Sequence, residues 1–165
     1  MKTDTEVVIA RPADVTQIAV MSRELVEQGL RWRWTARRVG ASIRNPDHNV
    51  AVVRNQHTLA GFGIMEYGLD AAHLLLFAVR PDERRRGIGS RILRWLEETA
   101  VVAGIEAIYL ETRRGNRGAR HFYLAHGYQD VALLRGYYDG RESAVRMMRR
   151  LRPSELEHPP TPLHG

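Results

Sequence analysis

Residues 73–79 (HLLLFAV) form a nearly continuous apolar run between two turn-forming stretches. A run of this length and composition is typical of a central strand that is covered on both faces. Two strand patterns come directly before it, and the segment after it places apolar residues on one face of a helix. The run therefore favours a layered fold in which helices cover a sheet.

The rest of the chain also alternates between strand and helix patterns. Strands are predicted at residues 6–10, 49–54, 59–67, 72–79, 105–112, 128–135 and 143–151. Helices are predicted to begin near Pro12, Thr35, Ile88 and Asn116 and to end at Gly29, Arg44, Gly104 and Gly127. The order β-α-α-β-β-β-α-β-α-β-β has too many neighbouring strands for a doubly wound parallel sheet. The predicted fold class is therefore mixed α/β, with an α+β-like use of hairpins.

Length and composition are those of one globular domain. The chain has 165 residues, 44% of them apolar, so we expect a single core within residues 1–151. Residues 152–165 carry four prolines and little that could be buried, and we expect this tail to be disordered or loosely packed. The sequence shows neither a long apolar run nor a signal-peptide pattern, which predicts a cytoplasmic protein with no membrane partner.

The absence of cysteine excludes a disulfide scaffold, a thiolate zinc site and a cysteine nucleophile. Histidine offers no metal site either, because His121 and His126 are five residues apart, which is not the spacing of a helical ligand pair. His48, His57 and His73 stand alone in the sequence. We interpret all five as surface or packing residues and predict no metal.

The net charge of +6 comes from 25 basic residues, and all except Lys2 are arginine. Either the genome favours arginine codons or some sites need the planar guanidinium group, which binds phosphate through paired hydrogen bonds. An RNA- or ribosome-binding module is the non-enzymatic alternative for such a chain. Against it, the arginines fall at turns and helix starts, and no recognised nucleic-acid motif accompanies them.

The most informative segment is 79–93 (VRPDERRRGIGSRIL), where a strand passes through an arginine- and glycine-rich loop into a helix. Gly87 and Gly89 allow a ligand to approach the backbone closely, and the free N–H groups of a helix start suit an anion. The loop lacks the Lys-Ser/Thr pair of a nucleotide-triphosphate loop and the first glycine of a dinucleotide fingerprint. It is either a phosphate site of another kind or a capped helix with a solvated basic start.

Residues 84–89 (RRRGIG) resemble the Arg/Gln-x-x-Gly-x-Gly/Ala signature of the GNAT family of N-acetyltransferases. A second set of residues is similar to that family's Leu-Glu-Val-Arg-x-x-Asn, Ala, Leu/Phe-Tyr and Gly-Phe/Tyr series: Leu110 to Asn116, Ala119, Phe122-Tyr123 and Gly127-Tyr128. The resemblance implies a mostly antiparallel sheet of six to seven strands, splayed between strands 4 and 5 and flanked by about four helices. It also implies acetyl-CoA as cosubstrate and an amine as acceptor, in a monomer or homodimer.

In this family the loop amides hold the coenzyme A pyrophosphate, and the strand before the loop pairs with the pantetheine arm. The matching positions in this chain are Phe77, Ala78, Val79, Arg84, Arg85, Arg86, Gly87, Ile88, Gly89, Ser90, Asn116 and Tyr123. Four more arginines lie near Asn116, where a 3′-phosphate or an acidic acceptor could pass: Arg113, Arg114, Arg117 and Arg120.

Amine acetylation needs a neutral amine, an oxyanion stabiliser and a proton for the departing thiolate. Glu111 is the candidate base, acting directly or through water, and burial is expected to raise the pKa of its carboxyl group. Its alternative is a salt bridge with Arg113. Tyr123 is the candidate acid, and its alternative is a core tyrosine on an amphipathic helix. The amide of Val79 is expected to stabilise the oxyanion.

The second set of residues and the last hairpin are most similar to the subgroup that acetylates protein N-termini, typified by the ribosomal-protein alanine acetyltransferases. This similarity predicts acceptor contacts at Tyr137 and Tyr138, and the region of Trp32 and Trp34 lines the acceptor side in the family. The alternative for the tryptophans is that one fills the core while the other covers a helix. Acetylation of a small-molecule amine or antibiotic is the alternative function, because residues 142–144 read Glu-Ser-Ala where the subgroup has Glu-Asp-Ala.

Overall fold

The computed structural model describes residues 6–84 and 86–151. In this part of the chain the strands are β1 Val7–Ile9, β2 His48–Asn55, β3 Thr58–Tyr67, β4 Ala71–Val79, β5 Ala107–Arg113, β6 Gln129–Tyr138 and β7 Glu142–Arg150. The helices are α1 Val15–Met21, α2 Ala36–Arg44, α3 Ile88–Val102 and α4 Arg117–Ala125. The predicted element order is therefore confirmed, whereas Arg85 and the predicted disordered tail lie outside the described residues.

The first predicted helix is the element that differs most from the sequence reading. Instead of one helix from Pro12 to Gly29, a 3-10 turn leads into α1, and a π-helical turn at Ser22–Val26 ends it. The other helix ends follow their signals. Thr35 accepts a hydrogen bond from the backbone N–H of Arg38 at the start of α2, and Gly104 adopts a φ of +81° just after α3.

The seven strands form one sheet in the order β1-β2-β3-β4-β5-β7-β6. Only β4 and β5 pair in parallel, and each other neighbouring pair is antiparallel. The mixed α/β class and the predicted sheet of six to seven strands are thus confirmed. The structure also has no helix, among the described residues, that is long and apolar enough to cross a membrane.

Helices cover both faces of the sheet, as the apolar run predicts. One core cluster contains the buried face of α3 and includes Ile92 and Leu96, and the other contains residues of α1 and α2 such as Ile18 and Val39. The apolar residues on the predicted face of α3 are all buried: Ile88, Ile92, Leu93, Leu96 and Ala100. The sheet therefore lies between two separate apolar layers.

An irregularity in β4 decides which of its side chains face α3 and which face α1 and α2. The register with β3 shifts so that Ile64 pairs with Leu76 and Met65 with Leu74, which leaves one extra residue in β4. Before this bulge Leu74 belongs to the α3 cluster, and after it Leu76 belongs to the α1–α2 cluster. Phe77, the next residue, therefore faces the α3 side, because a single inserted residue exchanges the two faces.

Candidate active site

A large cavity opens where β4 and β5 separate. Their parallel pairing runs only from Ala71 with Ala107 to Leu74 with Leu110. Beyond that point the residues that continue each strand line a cavity of about 850 Å³. On β4 these are residues 75–79 and on β5 residues 111–113. The predicted splay between strands 4 and 5 is therefore present, and it creates a cavity lined on one side by a strand edge.

The arginine- and glycine-rich loop contributes one wall of the cavity. Gly87 is the N-cap of α3 with a φ of +76°, and no atom lies within 4 Å of the position that a Cβ would occupy. The backbone can therefore be approached here from the cavity side. The loop residues that line the cavity are Arg84, Gly87, Ile88, Gly89 and Ser90. Arg86 does not line it and instead lies 3.4 Å from the Glu83 carboxylate.

Aromatic rings join this loop to β4 and α4. The rings of Phe77 and Phe122 stack with their centroids 5.5 Å apart, and Phe122 meets Tyr123 edge to face at 5.4 Å. A Cβ on Gly89 would lie 3.4 Å from both phenylalanine rings, so the helix start packs directly against them. The cluster fixes the loop, β4 and α4 relative to one another.

Tyr123 is both a core residue and a cavity residue. Only 7% of it is exposed, and it belongs to the α3 cluster while also lining the cavity. Burial, with a smaller effect from Tyr138, raises the pKa of its phenol, so the hydroxyl keeps its proton at neutral pH. Asn116 also lines the cavity and caps α4 by accepting a hydrogen bond from the backbone N–H of Ala119.

Glu111 stands at the point where the strands separate, and both of its carboxylate oxygens are engaged. Nε2 of His73 lies 2.5 Å from Oε2, while Oε1 accepts from Arg146 at 3.1 Å and from the Tyr137 hydroxyl at 3.3 Å. Burial on its own would raise the pKa of Glu111, but His73 and Arg146 outweigh it, so the pKa lies below its ordinary value. The expectation of a raised pKa was wrong, because these partners favour the ionised form.

Two sequence readings around Glu111 need correction. Its partners are His73 and Arg146 rather than Arg113, which binds Glu142 and the carbonyl oxygens of Val26 and Gln28. His73 does not stand alone as a surface or packing residue, since it lines the cavity beside Glu111. No local signal could have shown this, because the two residues meet only through the parallel pairing of β4 with β5.

The opposite wall comes from the segment after the π-helical turn and from the β6–β7 turn. Trp34 is 7% exposed and lines the cavity, with the Arg38 guanidinium 3.8 Å from its ring centroid. Tyr137 and Tyr138, the predicted acceptor contacts, also line it. Trp32 does not, because it lies at the surface beside Arg23. Trp34 is therefore both a core residue and a cavity residue, whereas Trp32 lies outside the cavity.

Two acidic residues missed by the sequence reading fix this wall. Glu27 is 8% exposed and accepts hydrogen bonds from the Ser22 hydroxyl and from the backbone N–H groups of Arg33 and Trp34. Asp139, in the β6–β7 turn, accepts from the backbone N–H of Arg31 and from the Arg33 guanidinium. Residues 31–34, the tryptophan segment, are thus bonded both to the helix before them and to the last hairpin.

Two of the four arginines near Asn116 are held by acidic partners within the chain. Arg113 is bound as described above, and Arg120 forms a bidentate pair with Asp130. Of the four arginines in this group, only Arg113 lines the cavity. The four arginines therefore do not form one phosphate-binding cluster in the cavity, because acidic residues on β6 and β7 bind two of them.

Solved structures share the fold of this chain. The ribosomal-protein-S18-alanine N-acetyltransferase of Escherichia coli superposes with a TM-score of 0.75 at 24% identity, covering 90% of this chain and 95% of that one. An aminoglycoside 6′-N-acetyltransferase complexed with coenzyme A superposes with a TM-score of 0.76 at 20% identity, covering 90% and 98%. The chain therefore shares its fold with both of these solved structures.

Sequence comparison gives the family directly. The model of the acetyltransferase (GNAT) family matches residues 16–128. The [Ribosomal protein bS18]-alanine N-acetyltransferase of Escherichia coli K12 is 36% identical over 92 residues, which are 54% of this chain and 62% of that enzyme. The match thus spans less than two thirds of the relative's length. The chain belongs to the GNAT family of acetyltransferases, as residues 84–89 and 110–128 suggest.

Proposed function

We propose that this protein transfers the acetyl group of acetyl-CoA to a primary amine by direct attack, and that the amine is a protein or peptide N-terminus. The observation that carries the proposal is the cavity between β4 and β5, which combines an unpaired strand edge with a glycine loop at a helix start. A strand edge can pair with the amides of a pantetheine arm. A helix start suits a pyrophosphate.

The residues present fit coenzyme A on structural grounds. Residues 77–79 offer backbone groups along the cavity, and the open space beside Gly87 leaves the first amides of α3 accessible. Ser90 lines the same wall and is held by His126, whose Nε2 lies 2.9 Å from its hydroxyl. In this proposal Arg84 supplies positive charge near the phosphates, and Asn116 borders the site as the cap of α4.

Two side chains are proposed to act at the reacting thioester. The amide of Val79, predicted to stabilise the oxyanion, lies six residues along β4 from His73, about 20 Å away, so it is proposed instead to pair with the pantetheine arm. The phenol of Tyr123 protonates the departing thiolate, and its raised pKa keeps the proton available until that charge forms. Glu111 supplies an ionised carboxylate on the side from which the amine arrives.

Replacing Tyr123 with phenylalanine is expected to lower kcat about tenfold, a modest effect because a thiolate is already a fair leaving group at a thiol pKa of about 8.5. Coenzyme A affinity, measured by calorimetry, should stay within about twofold, since one buried hydroxyl is lost and the ring contacts remain. Steady-state thiol release gives kcat.

Tyr128→Phe is the matched control for this variant. It also removes a buried tyrosine hydroxyl, one that donates to Glu97 outside the cavity. It should lower thermal stability and leave kcat unchanged. If Tyr123→Phe turned over as fast as wild type, Tyr123 would be a core tyrosine only.

The charges of the cavity support an N-terminal amine as acceptor rather than a polycation. Five arginines and four acidic residues line it, and each of the acids already accepts hydrogen bonds from groups of the chain. The acids are Glu27, Glu83, Glu111 and Asp139. Among the described lining residues, a polyamine would therefore be repelled by the arginines, and the carboxylates that could bind it already have partners. A peptide brings a single amine and a backbone that can pair with neighbouring strands.

Acetylation of a small-molecule amine is the second candidate, supported by the structural similarity to an aminoglycoside acetyltransferase. The test is thiol release from acetyl-CoA with two acceptor sets at equal concentration: alanine-starting peptides and aminoglycosides. Turnover of peptides that disappears when their N-terminus is blocked supports the proposal. Turnover of the small amines alone overturns it. Salt-dependent RNA binding without any thermal shift from coenzyme A would favour the RNA-binding alternative.

A further inference from the structure

The carboxylate of Glu111 is poorly suited to take a proton from an incoming amine. Its side chain is only 5% exposed, and both oxygens already accept hydrogen bonds or ion pairs. A carboxylate that hydrogen bonds with His73 and Arg146 keep ionised gains little from protonation. Another group at the same place is better exposed.

That group is His73, on the neighbouring strand β4. Its side chain is 36% exposed, against 5% for Glu111, and it lines the cavity where the strands separate. Nε2 is directed to the carboxylate at 2.5 Å. If the ionised carboxylate accepts Nε2–H, the lone pair of the neutral ring is at Nδ1.

The charged and titratable groups around this pair come from four strands. Glu66 on β3 pairs across from His73, but its carboxylate lies 2.9 Å from Nε2 of His48. Tyr109 is the residue of β5 opposite His73, and Tyr137 and Arg146 reach Glu111 from β6 and β7. Among these groups, His73 is the nitrogen base that lines the cavity and is more than one third exposed.

We propose that His73 is the residue that accepts the proton of the acceptor amine, and that Glu111 is a positioning residue that orients its ring and stabilises the imidazolium. The inference rests on the proposed acetyl transfer and names its base. The arrangement follows the logic of a carboxylate–histidine pair, in which the buried acid sets the tautomer and the imidazole moves the proton.

The proton and electron balance is complete without a further reactant. Nδ1 of His73 takes one proton from the ammonium group, and the freed amine forms a C–N bond to the thioester carbon. The C–S bond breaks with its electron pair on sulfur, and the thiolate takes the phenolic proton of Tyr123. After the C–N bond forms, the nitrogen carries one proton more than the amide product needs. This proton passes to the phenolate of Tyr123, and the imidazolium releases its proton to water.

The test is the pH dependence of kcat/KM for an alanine-starting peptide, measured for wild type and for His73→Gln. Glutamine can still donate to Glu111 but cannot accept a proton. We expect kcat to fall about 100-fold and the acid limb, which is the fall in kcat/KM that follows protonation of the base, to disappear. The change in kcat/KM that follows the titration of the peptide amine itself should persist. Coenzyme A affinity should stay within about twofold.

Glu111→Gln provides a readout that a purely structural role would not change. Loss of the carboxylate removes the stabilisation of the imidazolium, so the acid limb should move to lower pH while it remains present. His57→Gln is the matched control, since His57 is exposed in the β2–β3 turn and should leave the profile as in wild type. His73→Asn serves as a second variant, judged by the same profile, should His73→Gln be unstable.

The inference is overturned if His73→Gln keeps wild-type turnover and its acid limb, or if the limb survives in His73→Gln and vanishes in Glu111→Gln. The second result would make Glu111 the base. Either outcome leaves the proposed function standing, because both require an active wild type. A wild-type protein that acetylates no amine and binds no coenzyme A would refute the proposed function itself.

Discussion

Replacing Asp14 with alanine is expected to lower the free energy of unfolding by about 3 kcal/mol, because it leaves a largely buried arginine without its partner. Asp14 is 2% exposed and lies in the turn before α1. It accepts hydrogen bonds from the backbone N–H of Arg11 at 2.6 Å and from two nitrogens of Arg54 on β2. The pair therefore ties the first helix to the sheet, and urea unfolding would measure its loss.

An exposed pair of the same chemistry gives the control. Asp130 also binds an arginine through two nitrogens, but both side chains of the Asp130–Arg120 pair are more than one third exposed. Asp130→Ala should change the free energy of unfolding by no more than about 0.5 kcal/mol, since water replaces the lost contact. Equal losses in the two variants would show that burial does not set the cost.

The difference between wild type and Asp14→Ala should also depend on pH. Burial alone would raise the pKa of Asp14, but hydrogen bonds from Arg54 and Arg11 hold it below the ordinary value of 3.8. A carboxyl group whose pKa is lower in the folded state stabilises the fold above its unfolded pKa and loses that effect as pH falls. The two unfolding curves should therefore approach each other below about pH 4. A constant gap down to pH 2 would contradict this.

The order of elements could be predicted because each helix and strand has its own local signal. The α3 face repeats every three or four residues, Thr35 and Asn116 cap their helices, and Gly104 ends one. The π-helical turn at 22–26 could not be predicted, since no local pattern distinguishes it from a continuing helix. It places Glu27 beside the tryptophan segment. The Glu27 carboxylate there accepts hydrogen bonds from the backbone N–H groups of Arg33 and Trp34, six and seven residues later.

The positions of the loop and of Tyr123 along the cavity could be predicted from sequence motifs, because each motif lies within a short stretch of the chain. The surroundings of Glu111 depend instead on strand register. His73 reaches it from a strand 38 residues earlier, and Arg146 from one 35 residues later. These contacts reverse the expected direction of the Glu111 pKa shift. They also turn a histidine that looks isolated in sequence into a cavity residue.

Replacing Gly87 with glutamate is expected to weaken coenzyme A binding about 1,000-fold, or about 4 kcal/mol. The new side chain fills the open space at the start of α3, and its charge opposes the pyrophosphate where the helix dipole would otherwise favour an anion. Isothermal titration with coenzyme A measures the change. The fold itself should lose only about 1–2 kcal/mol, the cost of a left-handed backbone for a residue with a Cβ.

Gly104→Glu separates the loss of binding from backbone strain. Gly104 has a φ of +81° and nothing within 4 Å of a Cβ, so it matches Gly87 in both respects. It follows the opposite end of the same helix, however, and does not line the cavity. Strain and added charge are therefore similar in the two variants, and only Gly87→Glu places that charge in the proposed phosphate site. Normal coenzyme A affinity in Gly87→Glu, or an equal loss in Gly104→Glu, would mean that the loop does not hold the pyrophosphate.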